Sequence, residues 1–137
     1  MNEGKITQII GAVLDAQFEK GALPELYNAL HIETDNGTIV AVVMQHFGID
    51  TERCVAMSAT DGLKRKKNII YSGSAIKVPV GDKVLGRVFN VLGEPVDDLG
   101  VPDTDTKWEI HRKPPEFVDQ KPVTEVLETG IKVIDLL

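Results

Sequence analysis

A chain of 137 residues has room for one domain and an extension. Its 15 Lys and Arg stand against 21 Asp and Glu, a net charge of −6, which is the opposite of a nucleic-acid binder's balance. With 42% hydrophobic and 26% charged residues it has a globular composition, and no apolar run approaches the roughly 20 residues that a membrane-spanning helix needs.

The first residues, Met1-Asn2-Glu3-Gly4-Lys5, hold no charged-then-apolar signal segment, and Glu3 does not suit a transit peptide, so neither export nor organelle import is expected. Ile6, Ile9-Ile10 and Val13-Leu14 form a first apolar stretch interrupted at Gly11. A glycine inside a strand marks a bulge or a corner bend. The strongest local signal is Asp35-Asn36-Gly37. Leu30, Ile32 and Thr34 alternate before it with His31 and Glu33, and Thr38–Met44 follows it. Asn-Gly takes the positive φ angles of a type I′ turn at low cost, so a β-hairpin is expected here.

Further strands are expected over Arg53–Met57, Asn68–Tyr71 and Ala75–Val80, with turns at Gly48-Ile49-Asp50 and Thr60-Asp61-Gly62. Short strands at this spacing predict a small closed barrel. Aromatic residues are only 5% of the chain, so its core must be Val, Ile, Leu and Ala. Cys54, the one cysteine, can form neither an internal disulfide nor a cysteine zinc site and reads as a small core residue.

Charge is segregated along the chain. Residues 1–62 carry three basic and nine acidic groups, residues 63–87 seven and one, and residues 88–137 five and eleven. The basic middle is dominated by Lys64-Arg65-Lys66-Lys67. With no aromatics beside it to stack bases, this run reads as a solvated hairpin end. Beyond it, Val84–Leu92 is an apolar stretch flanked by Gly86 and Gly93, and Gly81–Gly86 reads as a turn with a strand after it. Pro95, Pro102, Pro114, Pro115 and Pro122 then place five of seven prolines in the last third. Each removes a backbone donor, so the tract is expected to be an extended acidic connector, mobile over Glu94–Gln120, with Trp108 as a packing anchor. Thr124–Leu137 carries a helix-like set at Ile131, Ile134 and Leu137 and stops on two leucines, which suggests the front part of a longer protein.

No reactive constellation emerges. Gly81-Asp82-Lys83-Val84-Leu85-Gly86 has phosphate-loop glycine spacing, but Arg87-Val88 stands where Lys and then Ser or Thr are required. His31, His46 and His111 lack metal-pair spacing and read as strand or loop residues. Asp97-Asp98 and Asp103/Asp105 read as solvated loop carboxylates. No residue is assigned a catalytic, cofactor-binding or metal role.

Val78–Gly81 and Leu85–Asp97, which includes Phe89-Asn90-Val91-Leu92-Gly93-Glu94-Pro95, closely resemble the β subunit of the F-type rotary ATP synthase. Pro24–Leu30, Thr60–Leu63 with Arg65, Ile110–Arg112, Pro115–Phe117 and Leu127–Leu137 agree with it. Lys66-Lys67 departs from the family's usual glycine after the arginine, and Val101–Lys107 looks locally variable. Related α subunits, vacuolar-type subunits and flagellar export ATPases carry similar elements.

The resemblance implies a six-stranded closed β-barrel over residues 1–80. Residues 81–137 would be a proline-rich linker and the first, incomplete segment of an α/β nucleotide-binding domain. It implies α subunits as partners in a hetero-hexameric ring, a central stalk, and Mg-ATP or ADP in the whole subunit, with catalysis coupled to proton transport. The fragment itself is expected to bind no cofactor, to serve ring assembly without being catalytic, and to be monomeric in isolation. Faces of Lys5–Leu14 and Thr38–Met44 would meet neighbouring barrels. The complex would lie at the cytoplasmic face of a membrane without inserting into it, and would contact no nucleic acid. The alternatives are a freestanding barrel that binds oligonucleotides through Lys64–Lys67 and a fragment of a related export or vacuolar-type ATPase.

Overall fold

The computed structural model describes residues 2–35, 37–120, 122 and 126–137. Six strands carry the first half: β1 (Glu3–Ile10), β2 (Val13–Gln17), β3 (Asn28–Thr34), β4 (Gly37–Phe47), β5 (Thr51–Ala56) and β6 (Asn68–Ala75). They form a closed antiparallel barrel in the order β1-β2-β5-β4-β3-β6, and β6 returns to β1 through Glu3↔Ile70, Gly4↔Ile69 and Lys5↔Asn68. Closure leaves no free sheet edge.

The core follows from period-two alternation. Leu30 and Ile32 on β3, Ile39, Ala41 and Val43 on β4, and Cys54 and Ala56 on β5 point inward and pack with Ile6, Leu14, Ala16, Phe18 and Ile69. Shifts in register at Ile6/Gln8, Asn28/Leu30 and Val43/Gln45 supply the local bends that a small barrel needs to close.

Six strands were expected, but their identities differ. The first apolar stretch is two strands: Gly11, at φ 59°, belongs to the tight β1–β2 turn closed by Ile10↔Val13, and the bulge in β1 lies nearer Thr7. The β3–β4 hairpin is present and its ladder runs to Thr34↔Gly37; Asn36 of the expected turn lies outside the described residues. The expected Ala75–Val80 strand does not join the barrel. β6 runs to Ala75, and β7 (Lys77–Pro79) pairs instead with β8 (Lys107–Glu109) in a separate two-stranded sheet.

Lys64–Lys67 is exposed as expected, but it is not a hairpin end, because β5 and β6 are not neighbours. The run belongs to a crossing connection that Lys66 N–H and Lys67 C=O tie to Ile6 of β1.

After the barrel the chain is held by polar ties more than by burial. The strand expected after the Gly81–Gly86 turn does not form. A 3₁₀ turn (Asp82–Val84) is followed only by a single bridge, Phe89↔Pro95. Leu92 packs beside Ala29, Val42 and Ile76 on the outside of the barrel. Trp108 lies in β8 opposite Val78, half exposed, with the Arg112 guanidinium 3.9 Å from its ring centre. Every described residue from Asp105 to Leu137 is exposed, and the helix-like set near the end is one turn, α1 (Lys132–Asp135).

Candidate functional site

Two polar constellations stand out, one inside the barrel and one in the segment that follows. The inner one is built by β5. Thr51, Arg53 and Val55 alternate with Glu52, Cys54 and Ala56, so the inward row places a carboxyl beside the thiol in an apolar interior. The Glu52 side chain is fully buried. Its Oε1 accepts from Cys54 Sγ at 3.7 Å, while Oε2 has no hydrogen-bond partner. Burial favours the neutral acid and pushes the Glu52 pKa up to about 7, the Cys54 hydrogen bond opposing it. The same burial, together with the Glu52 charge, pushes the Cys54 thiol well above its ordinary value, so it is inert core, as its sequence context indicates.

Directly across the ladder from Glu52 stands His46 of β4. Its Nε2 lies 2.8 Å from the Pro24 carbonyl oxygen and 3.9 Å from Glu52 Oε2. A carbonyl only accepts, so Nε2 carries the proton and donates to Pro24. On the outer side of the same strands, Arg53 grips Asp15 of β2 through Nε and Nη2 at 2.7 and 2.9 Å and lies 4.6 Å from the Phe47 ring centre. That grip lowers the Asp15 pKa against its partial burial.

The second constellation corrects the solvated reading of Asp97. Its carboxylate is bound bidentately by Arg87 and also accepts from the backbone N–H of Val88 and Leu99. Both side chains are largely covered, and the Arg87 hydrogen bonds chiefly hold the Asp97 pKa far below the usual carboxylate range. Arg87 also donates to the Gly100 carbonyl, so it is a loop clamp. Asp103 remains exposed and meets Lys83 at 2.8 Å. His31 is exposed on β3, and His111 stacks on Tyr27 with ring centres 4.6 Å apart. The three histidines are therefore strand and loop residues, and the sequence reading did not pair any of them with Glu52. The signal was available in the shared phase of Glu52, Cys54 and Ala56, but the partner across the ladder was not.

The residues around Gly81–Gly86 do not fit a nucleotide phosphate and Mg²⁺. Arg87 is committed to Asp97, and no Lys or hydroxyl follows the loop. Among the described residues, no group of three or more His, Cys, Asp or Glu is arranged to hold a metal ion, and no helix is long and apolar enough to cross a membrane.

The described residues thus form a small closed antiparallel barrel with a mostly apolar interior, followed by a clamped exit loop. Residues 6–73, which span nearly the whole barrel, match the model of the ATP synthase alpha/beta family, beta-barrel domain. The barrel domain of this chain, a six-stranded closed barrel, belongs to that family.

Proposed function

We propose that this chain works within a β-type subunit of an F-type rotary ATP synthase, its barrel serving as a ring-forming scaffold. The observation that carries the reading is closure of six strands over the residues that match the family's barrel. The choice of β over α is supported by Phe89–Pro95 and by Glu128-Thr129-Gly130-Ile131-Lys132. In this reading, residues 81–137 lead into the nucleotide-binding domain. The partners are α subunits in a hetero-hexameric ring and the central stalk, at the cytoplasmic face of a membrane.

The role is mechanical. A barrel whose backbone donors and acceptors are spent on its own ladders resists shear and offers side chains, not strand edges, to its neighbours. Exposed residues on the strands proposed to meet those neighbours include Lys5, Thr7 and Ile10 on β1 and Thr38 and Met44 on β4. Phosphoryl transfer with Mg-ATP or ADP, coupled to proton transport, belongs in this proposal to the nucleotide-binding domain, and no step of it is assigned to a residue of this chain.

The test is assembly. The purified chain, mixed with F-type α subunits, is expected to enter complexes seen by native mass spectrometry and to compete with an intact F-type β subunit for ring formation. Failure of both overturns the reading. So does Mg-ATP turnover by the chain alone that a substitution within it abolishes.

A further inference from the structure

We propose that Glu52, His46 and the Pro24 carbonyl form a proton-operated latch over one end of the barrel. The geometry comes first. Phe18, Leu23 and Pro24 belong to the β2–β3 connection. Phe18 and Pro24 are buried, and Leu23 packs against the main core. A long-range tie to this connection comes from His46 Nε2–H on the Pro24 oxygen at 2.8 Å, and the same imidazole stands 3.9 Å from the unpartnered Oε2 of a fully buried carboxyl. One donor thus lies within reach of two acceptors and serves one of them.

The surroundings decide which acceptor wins. From β4, the group facing Glu52 is His46; from its own strand, Cys54. From β2, buried Ala16 stands opposite, while Asp15 beside it is bound by Arg53 on the outside. Asp50, before β5, is taken by Gln17 and Thr51, and Glu19 and Lys20 are exposed. No Lys or Arg among these reaches the buried carboxyl, so among the described residues the imidazole is its only titratable donor besides the thiol.

While Glu52 is neutral, Oε2 needs no counter-charge and the imidazole holds Pro24. Once the proton leaves Glu52 for solvent, a carboxylate with one oxygen lacking a donor sits in an apolar interior, and that costs far more than a lost hydrogen bond. A small swing of the ring brings Nε2–H to Oε2 and takes it from Pro24, so the connection over the barrel end loses one of its ties. It is left with those of Asn2 Nδ2 to the Ala22 oxygen, Phe18 N–H to Asp50 and Tyr27 N–H to Val43. Burial sets the midpoint at about 7, inside the range where modest pH changes act. The latch needs nothing of the subunit assignment, and its failure leaves that reading standing.

The experiment is amide exchange, corrected for intrinsic rates, on the 137-residue chain and on Glu52→Gln, which keeps the shape and cannot ionise. The Ala22 amide donates to Glu19 and the Tyr27 amide to Val43, on either side of Pro24. Between about pH 5 and about pH 8, their protection should fall about tenfold relative to β3 in the parent chain and stay level in Glu52→Gln. Equal pH dependence in the two chains, or none in the parent, overturns the latch. Should the variant fail to fold, carboxyl carbon shifts of Glu52 in the parent chain decide. A midpoint near 7 with a coincident change at His46 Nε2 supports the latch, and an ordinary carboxylate midpoint overturns it.

Discussion

The barrel and the segment after it are both rich in Val, Ile and Leu, yet they use them in opposite ways. In residues 3–75, Ile6, Leu14, Leu30, Ile32 and Ile69 are essentially removed from water. In residues 76–137, Leu85, Leu99, Val101, Val118 and Leu127 remain mostly exposed. The difference is backbone pairing. Six strands that satisfy one another's N–H and C=O groups make a closed surface with an inside. Prolines at 95, 102, 114 and 115 remove donors where a ladder would have to form, and the segment settles for a two-stranded sheet and side-chain clamps. Hydrophobicity supplies the free energy of burial, but closure decides which residues receive it.

The sharpest test of that contrast is Leu30→Ala. Its side chain is fully enclosed, so about 2–5 kcal/mol of stability should be lost in denaturant unfolding. A loss under about 1 kcal/mol would break the comparison.

Next comes Glu52→Gln, read as stability against pH. The folded pKa of about 7 lies above the ordinary 4.5, so the parent chain is favoured while the acid is neutral. That contribution is complete below about pH 4.5 and lost as pH rises through about 7. The parent should therefore be less stable than Glu52→Gln by roughly 3 kcal/mol near pH 8, and nearly equal to it near pH 4. Urea midpoints at the two pH values check this.

Gly4→Ala should cost about 1–3 kcal/mol. An added Cβ would stand 2.8 Å from both the Gln17 carbonyl oxygen and Phe18 Cζ, and the backbone oxygen cannot yield cheaply. Thermal unfolding of the variant measures it.

In the second region, Arg87→Ala should raise amide exchange at Val88 and Leu99, which rest on Asp97, and leave the barrel's melting midpoint in place. The Arg87-held carboxylate of Asp97 contributes above the ordinary carboxylate range and loses that contribution only as pH falls well below it. Smallest of all, Leu99→Ala should change stability by no more than about 0.5 kcal/mol, because that side chain is already in water.

Local chemistry made part of this legible. The alternation from Leu30 to Thr34 and the apolar run after Gly37 determine the β3–β4 hairpin, because side-chain period and turn propensity are properties of neighbouring residues. Cys54 was readable as core for the same reason. Gly11 was misread because a tight turn and a bulge both call for the same backbone freedom, and only the partner strand distinguishes them. Asp97 looked like any loop carboxylate until Arg87, ten residues earlier, was seen folded back onto it.

The order of residues thus determined the β3–β4 hairpin, the apolar stretches from which the strands are built, and that the proline-rich segment could not join the barrel's ladder. Which strand lies beside which was decided only in three dimensions. β2 and β5 are neighbours across more than thirty residues of chain, and β6 reaches back to close on β1. The fate of Glu52 was decided there too, since burial and the approach of His46 depend on a pairing between β4 and β5 whose bulge sets the register. Propensity acts between residues a few positions apart, whereas desolvation and ladder partnership depend on what the completed barrel brings together.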